Sequence, residues 1–488
     1  MKKKKLNIIS YNKAEIFLFV LTILWLVILA FGKFNRMPVM EQLAVADNLE
    51  VFNYLYPSIN SENPSHSSGY FPGMAYFIYL IKFFTPDYFI VEVLLLYSII
   101  FIILFFYITK NIIADFYKKN IHFNNYWLLC IIFSFWPAKN WLWYAIELKQ
   151  DILAFTLVAL ALLICKPYKK KYERNILNLL ISIILFSYAV VLKQQVVFII
   201  FGMGAYSFYS FFNKNYFFIF YTFIIILATL SIYYIFYQNN DLWWFTITRH
   251  SENTFLTLSE WLKLHYVESI LIIQFLLFVF FSSFHNLCTV NFNSKFQYLL
   301  SSIKSNIWFY LIFFFSLTGL ISSLSRGGNS GNTGVSLILF FPFIYIFIYN
   351  FKKKVLIFVA YSVLLFELHH VIFSLNNYIS AVQFKSQVFK IKEDGNLILI
   401  NRETYFASRL LRKENTLVSL STKQVLNKFY KKPYNKDLIK NEFLKTNYDY
   451  IILNNNLEFG EDLNERQINK KHYQKIFSNK SGYIYKKI

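Results

Sequence analysis

The chain has 488 residues, of which 56% are hydrophobic, 21% are aromatic and only 16% are charged, with a mean hydropathy of +0.41. A soluble domain of this size carries more charge, so the composition excludes a soluble globular protein. The formal net charge is +22 without a nucleic-acid-binding motif, which fits basic loops that hold membrane topology and meet anionic lipid. The apolar runs, of about 17 to 23 residues, match a bilayer core of roughly 30 Å. The sequence therefore predicts a polytopic α-helical membrane protein.

The chain begins with MKKKKLNIISYNK, which resembles the basic region of a signal peptide. The apolar stretch that follows ends without a small-x-small cleavage site, so we expect it to remain as a first helix over about 15–33. A long polar loop is predicted next, over about 34–72. This loop is acidic in an otherwise basic protein, since it carries Glu41, Asp47, Glu50 and Glu62.

The loop leads into an apolar piece at about 71–85, predicted to be interfacial or re-entrant. About eleven transmembrane helices are predicted in all, and every strongly basic short loop between them falls on the inner side of the membrane. After the first helix, the predicted spans are about 87–109, 126–138, 151–166, 175–191, 195–212, 216–237, 266–284, 307–322, 335–350 and 354–376. With the basic N-terminus inside, an odd number of transmembrane helices places the C-terminal part of the chain outside.

Residues 380–488 have short apolar runs, dense charge and no cysteine. NLILIN, YDYIILNNN and GYIYKK are predicted as strands, whereas ETYFASRLLRK and TKQVLNKFYKK have helical spacing. The pattern predicts a small α/β domain. We therefore divide the chain into a membrane domain, 1–379, and an extracytoplasmic α/β domain, 380–488. The basic charge of residues 380–488 does not contradict an extracytoplasmic position, because long domains cross the membrane largely regardless of charge.

Ionisable and polar residues near membrane ends are costly and are therefore candidates for function. With the predicted topology, several separate segments send such residues to the outer face, whereas a transporter more often places them near the midplane. The candidates are Glu41, Asp47, Asp151, Lys193, Arg249, Arg326, Asn329 and Asn332. Their clustering on one side favours chemistry at the outer membrane surface.

Each candidate also has a purely structural interpretation. Glu41 and Asp47 are acceptable caps of interfacial helices, and Asp151 opens an apolar run as an N-cap would. Glu50 fits a solvated helix face. Lys193 fits a lysine whose ammonium reaches the interface. The glycines of SRGGNSGNTG fit a flexible turn.

Several local patterns together resemble the GT-C superfamily of polyprenyl-phosphate-dependent glycosyltransferases, which includes the lipid A aminoarabinose transferase and protein O-mannosyltransferase group. They are MPVMEQLAVADN in the first outer loop, SSGYFPGMAYFIYL, ELKQDILAFTLVALALLI, VVLKQQVVF, RGGNSGNTGVSLILFFPF and YDYIILNNN. The order of parts is also similar over the whole chain. The chain departs from the family in lacking an adjacent acidic pair and in having one proline, Pro72, in the aromatic-proline stretch. The lysine often found beside that stretch is also missing.

The resemblance implies a base in the first outer loop, either Asp47 or Glu41. Asp47 is favoured by its place in a polar Ala-Asp-Asn turn, and Glu41 by its spacing from the first helix and from Pro38. The resemblance also implies cations for the donor phosphate and polar or aromatic groups for the substrates. The cations are Lys193, Arg326 and Arg249, and the substrate-binding residues are Tyr70, His66, Asp151, Asn329 and Asn332.

The expected function is transfer of a sugar from a polyprenyl-phosphate donor to a lipid-linked glycan, a surface polysaccharide or a protein, with inversion. The expected location is the inner membrane of a bacterium. No cofactor is expected: a divalent metal is compatible with the carboxylates, but no ligand spacing accompanies them. Two alternatives remain open at this point, a glycan polymerase or ligase of the O-antigen type and a flippase for lipid-linked sugars.

Overall fold

In a computed structural model of the protein, most of the described chain is helical. The structure describes residues 13–32, 37–58, 71–117, 126–128, 130–132, 150–169, 175–248, 256–264, 306–308, 310–311, 314, 353–391, 397–400, 416–419, 448–453, 468 and 471–488. At Glu41 and Asp151 only the backbone is described.

The described helices follow the apolar runs of the sequence. They are α1 (Lys13–Phe31), α2 (Met37–Phe52), α3 (Gly73–Lys82), α4 (Ile90–Tyr117), α5 (Gln150–Cys165), α6 (Ile176–Leu192), α7 (Val197–Phe212), α8 (Tyr216–Tyr237), α9 (Asn240–Trp243), α10 (Leu258–Leu264), α11 (Lys353–Phe366) and α12 (Leu368–Phe389). Short 3-10 turns precede α4 and α7, and a π-helical turn follows α9. The helices α5 to α8 begin and end within two residues of their predicted bounds.

Among the described residues, two helical segments, Asp87–Ile112 and Tyr216–Tyr237, are long and apolar enough to cross a membrane. The helices α11 and α12 meet at a bend of 42°. If they are counted as one span, they form a third such segment. The sequence predicts a single helix over 354–376 here, whereas the structure breaks it at Glu367 and continues it to Phe389. The predicted spans 266–284 and 335–350 lie outside the described residues, so the count of about eleven stays a prediction.

The first helix runs parallel to the α11–α12 pair. Glu15 forms an ion pair with Lys353 at one end, and the rings of Phe31 and Tyr378 stack 5.1 Å apart at the other. Gly32 approaches Ser374 so closely that a Cβ atom has no room. The first turns of α1 and α11 therefore lie at the same end of the bundle.

The C-terminal strands form a five-stranded sheet with the order β2-β1-β3-β5-β4. The strands are β1 (Leu397–Ile400), β2 (Thr416–Ser419), β3 (Tyr450–Leu453), β4 (Tyr473–Asn479) and β5 (Gly482–Lys487). Strands β2, β1 and β3 are parallel, and β5 and β4 pair antiparallel at one edge. The three strands predicted from the sequence are confirmed as β1, β3 and β5. The two predicted helices of this region lie outside the described residues, so its α/β class stays a prediction.

Both faces of the sheet are buried, which explains why β3 is a continuous apolar run. Ile398, Tyr450, Ile452 and Ile484 join the same core as Phe384 of α12. The alternate residues, among them Leu399, Ile451 and Tyr485, form a second, smaller core. The helix α12 passes through residue 380, the predicted domain boundary, and carries the sheet on its last three turns.

Candidate functional site

The segment predicted as a polar loop contains a helix, α2, from Met37 to Phe52. Its sequence has no glycine, and its only proline, Pro38, lies in the first turn, where a proline is tolerated. The prediction that Asp47 lies in an Ala-Asp-Asn turn is therefore wrong. The run from Leu43 to Ala46 is fully buried, and this packing holds the segment helical despite its polar flanks.

The helix α2 buries polar side chains as well as apolar ones. Asp47 is only 2% exposed, and Gln42 and Asn48 are also buried. Asn48 donates a hydrogen bond from Nδ2 to the backbone oxygen of Leu55, at 3.1 Å. Buried polar groups are costly unless they are paired. The carboxylate of Asp47 must therefore have a partner.

That partner is Lys82, the last residue of α3. Its ammonium lies 2.6 Å from Oδ1 of Asp47 and also contacts Oε2 of Glu50. Asp47 and Glu50 are three residues apart on α2 and so share one face of the helix. The Lys82 side chain is 7% exposed and the Glu50 side chain 31% exposed, so the three groups form a largely enclosed cluster that opens at Glu50. We call it the Asp47–Lys82–Glu50 cluster.

Sequence reasoning missed Lys82 as a site residue and interpreted Glu50 as a solvated surface residue. Lys82 closes the apolar stretch GMAYFIYLIK, where a lysine has the ordinary role of reaching toward water. The signal that could have singled it out is the missing lysine near the aromatic-proline stretch, because Lys82 lies ten residues after Pro72. The 35-residue separation between Lys82 and Asp47 carries no local pattern.

The helix α3 is anchored at its other end. Phe71 is fully buried, with its ring 5.3 Å from that of Tyr233 and 4.8 Å from that of Phe236. Tyr188 donates from Oη to the backbone oxygen of Gly73 at 3.0 Å. A Cβ atom at Gly73 would lie 2.7 Å from the backbone of Val191 and Leu192. Only glycine allows this approach, which fixes α3 against the end of α6.

Lys193 lies at this anchored end. It follows α6 in an extended conformation and is 3% exposed, so the interpretation of a lysine reaching into bulk water does not describe it here. The next residue, Gln194, is held by a hydrogen bond from Tyr233 Oη to its backbone oxygen at 2.9 Å. The ten-residue α3 is about 13 Å long between its end residues. Lys193 and Lys82 therefore lie near opposite ends of α3, and it is Lys82 that contacts Asp47.

Glu41 belongs to the same helix as Asp47, but the two positions lie on different faces. Six residues turn an α-helix by about 600°, or roughly 120° away from the starting face. Three residues, the spacing of Glu50, turn it only about 60° off the same face. The backbone of α2 therefore groups Asp47 with Glu50 rather than with Glu41.

Of the other predicted site residues, the structure describes only the backbone of Asp151. Asp151 is the second residue of α5, inside the first turn rather than at the capping position. Six predicted residues lie outside the described chain: His66, Tyr70, Arg249, Arg326, Asn329 and Asn332. In the part of the chain that the structure describes, no group of three or more His, Cys, Asp or Glu residues could hold a metal ion.

The outer face of α3 and the residues that follow it are apolar and exposed. Leu80 is 59% exposed, and Phe83 and Phe84 are also highly exposed. These side chains lie on either side of Lys82 in the chain, whose ammonium turns inward to the two carboxylates. The cluster therefore combines an enclosed charged centre with an adjacent apolar surface.

No family model matches the chain, and no curated protein matches it either. Among solved structures, it is similar to the crystal structure of ArnT from Cupriavidus metallidurans bound to undecaprenyl phosphate. The TM-score is 0.57 at 8% sequence identity, over 96% of this chain and 97% of that chain. The likeness shows that the fold is shared over nearly the whole length. Together with the apolar helices of the described chain, it supports at the level of the fold the mostly helical membrane protein that the sequence predicts.

Proposed function

We propose that this protein is an integral-membrane glycosyltransferase of the GT-C type, with the Asp47–Lys82–Glu50 cluster at its active site. It transfers a sugar from a polyprenyl-phosphate donor to a lipid-linked glycan, a surface polysaccharide or a protein at the outer face of the membrane. The observation that carries the proposal is the enclosed carboxylate–ammonium–carboxylate cluster, in a chain that shares the fold of ArnT. That relative was solved with undecaprenyl phosphate bound.

Asp47 acts as the general base. The acceptor hydroxyl attacks the anomeric carbon of the donor sugar and passes its proton to a carboxylate oxygen of Asp47, while the bond from that carbon to the phosphate oxygen breaks. A single displacement inverts the anomeric carbon. Burial of Asp47 in α2 orders its carboxylate and keeps competing water away.

Lys82 stabilises the departing phosphate. Negative charge develops on the phosphate oxygens as the bond breaks, and a preorganised ammonium nearby lowers the energy of that state. The same ammonium contacts Asp47 and Glu50, so the leaving group and the base lie within reach of one cation. Two carboxylates against one ammonium leave the cluster with a formal charge of −1, and Glu50, the more exposed carboxylate, is the group that the phosphate displaces.

The exposed apolar face beside Lys82 suits the polyprenyl chain. Leu80, Phe83 and Phe84 present aliphatic and aromatic surface, against which an isoprenoid chain can pack through van der Waals contacts. Lys193, Arg249 and Arg326 are kept as proposed further ligands of the donor, and Glu41 as the alternative base. Tyr70, His66, Asp151, Asn329 and Asn332 are kept as proposed contacts to the substrates.

The test compares lipid-linked glycans and surface polysaccharide by mass spectrometry in cells with the wild-type protein, without it, and with Asp47→Asn. Loss of one sugar from an otherwise complete glycan, in both the null and the Asp47→Asn cells, supports transfer. The matched control is Asp241→Asn, which changes a carboxylate of α9 and is expected to restore the sugar fully. Shortened chains in the null cells would instead indicate a polymerase, and an inward-facing pool of lipid-linked sugar would indicate a flippase.

A further inference from the structure

Lys385, near the end of α12, is buried where the membrane helices meet the C-terminal sheet. Its side chain is 2% exposed. The ammonium lies 3.1 and 3.3 Å from the two carboxylate oxygens of Glu92 and also donates to the backbone oxygen of Tyr88. It lies 4.0 Å from the centre of the Tyr88 ring. An ammonium has three donors, so Glu92 and Tyr88 together satisfy Lys385 and tie α12 to the start of α4.

The C-terminal sheet contacts the same part of α12 that carries Lys385. The ring of Phe384 lies 5.9 Å from that of Phe477, and Asn479 donates from Nδ2 to the backbone oxygen of Ser380 at 2.7 Å. The hydroxyls of Ser481 and Ser380 are 3.1 Å apart. The position of the sheet therefore determines the position of the α12 turn that carries Lys385.

Only five residues separate Tyr88 from Lys82, and they form a chain of tight turns. Successive backbone hydrogen bonds run from Phe83 N to Leu80 O, from Phe84 N to Ile81 O, from Thr85 N to Lys82 O and from Phe89 N to Pro86 O. The ring of Phe83 contacts that of Tyr79 on α3 at 5.2 Å, and Phe84 is 89% exposed, so the Phe83 packing ties the connector to α3. Its course depends on the two ends, α3 and the Tyr88 anchor.

We propose that Lys385 is a positioning residue for the Asp47–Lys82–Glu50 cluster. It holds Tyr88 and Glu92, these hold the connector over residues 83–87, and the connector sets where Lys82 ends α3. The C-terminal sheet thereby contributes to the active site without touching the substrate. The inference rests on the proposed function for its catalytic consequence, but the mechanical link from Lys385 to Lys82 stands on the contacts alone.

The test uses full-length protein purified in detergent with Lys385→Met, which removes the charge, and Lys385→Arg, which keeps it. The matched control is Lys353→Met, which breaks the Glu15 ion pair at the opposite end of the bundle. We expect Lys385→Met to weaken binding of undecaprenyl phosphate and to lower the kcat/KM for sugar transfer about 100-fold, the size of effect that a 1 Å displacement causes. Lys385→Arg restores both values, and Lys353→Met leaves both unchanged.

A second measurement needs no lipid. Amide hydrogen exchange over residues 83–89 should be faster in Lys385→Met than in wild type and normal in Lys385→Arg. If Lys385→Met does not fold, Lys385→Met combined with Glu92→Leu leaves no unpaired buried charge, and the same results are expected of it. A folded charge-removing variant with normal exchange and normal lipid binding overturns the proposal. If wild type and Lys82→Met bind undecaprenyl phosphate equally, the proposed function fails, and the exchange result alone then decides the role of Lys385.

Discussion

The Nζ atom of Lys82 lies 2.6 Å from Oδ1 of Asp47, although 35 residues separate the two in the chain. The contact joins the end of α3 to the buried face of α2. Removing the Lys82 charge takes a counter-ion from the buried Asp47 carboxylate, whereas removing the Asp47 charge leaves Lys82 in contact with Glu50. We therefore expect substitutions of Asp47 and of Lys82 to have related but distinguishable effects on activity and donor binding.

Asp47→Asn is expected to lower the rate of sugar transfer by at least about 100-fold, because general bases contribute roughly 10² to 10⁴ to a rate. Glu41→Gln is the comparison, and its activity should stay close to wild type, because Glu41 occupies a different face of α2. The measurement is single-turnover transfer with saturating donor. Near-normal activity of Asp47→Asn would exclude Asp47 as the base, and loss of activity only in Glu41→Gln would move the role to Glu41.

Lys82→Met is expected to impair both donor binding and chemistry, because the proposed mechanism has Lys82 bind the phosphate before and after the bond breaks. Lys82→Arg should retain a substantial part of the binding, since a guanidinium also pairs with phosphate oxygens. Titration with undecaprenyl phosphate gives the dissociation constant, and the salt dependence of that constant reports the charge. An unchanged dissociation constant in Lys82→Met contradicts its role as a phosphate ligand.

Lys193→Ala is expected to weaken use of the donor by raising its KM, while the kcat falls less than in Lys82→Met. The physical reason is distance: Lys193 lies at the Gly73 end of α3, about 13 Å along the helix from Lys82. We therefore expect Lys193 to hold a different part of the donor from Lys82. Steady-state kinetics with varied donor separate the two effects, and an unchanged KM for the donor leaves Lys193 with a structural role only.

Gly73→Ala is expected to destabilise the protein by about 1 to 3 kcal/mol, the usual cost of overpacking. The added methyl group would meet the backbone of Val191 and Leu192 at 2.7 Å, and backbone atoms cannot move aside as a flexible side chain can. Gly204→Ala is the matched control, because a Cβ atom there meets nothing within 4 Å. Thermal unfolding in detergent should show a lower Tm for Gly73→Ala and an equal or higher one for Gly204→Ala.

A reporter fused after the last residue of the chain should be active outside the cytoplasm. The Glu15–Lys353 ion pair brings the first turns of α1 and α11 together at one end of the bundle, and α12 places the sheet near the other end. The predicted topology assigns the first of these ends to the cytoplasmic side. An enzyme reporter that functions only outside the cytoplasm, paired with one that functions only inside, measures the side directly. A cytoplasmic result would contradict the predicted orientation and the outer position of the cluster.

The membrane class and the positions of α5 to α8 could be predicted because they depend on local properties. A run of about 20 apolar residues specifies a spanning helix whatever its neighbours are. The strands β1, β3 and β5 are apolar or aromatic enough to be recognised. In contrast, β4 has exposed Gln474 and Lys475, and its strand conformation comes from pairing with β5 rather than from its own composition.

From the sequence alone, the acidic segment after the first helix could be singled out as a candidate site, because four carboxylates in a basic membrane protein are an unusual local concentration. Only the tertiary structure decided which carboxylates lie together and which cation they contact. The helical conformation of α2 groups Asp47 with Glu50, and the packing of α3 against α2 brings Lys82 to both. The physical reason is that hydrophobic run length and periodicity are read along the chain, whereas an ion pair across 35 residues depends on how two helices pack.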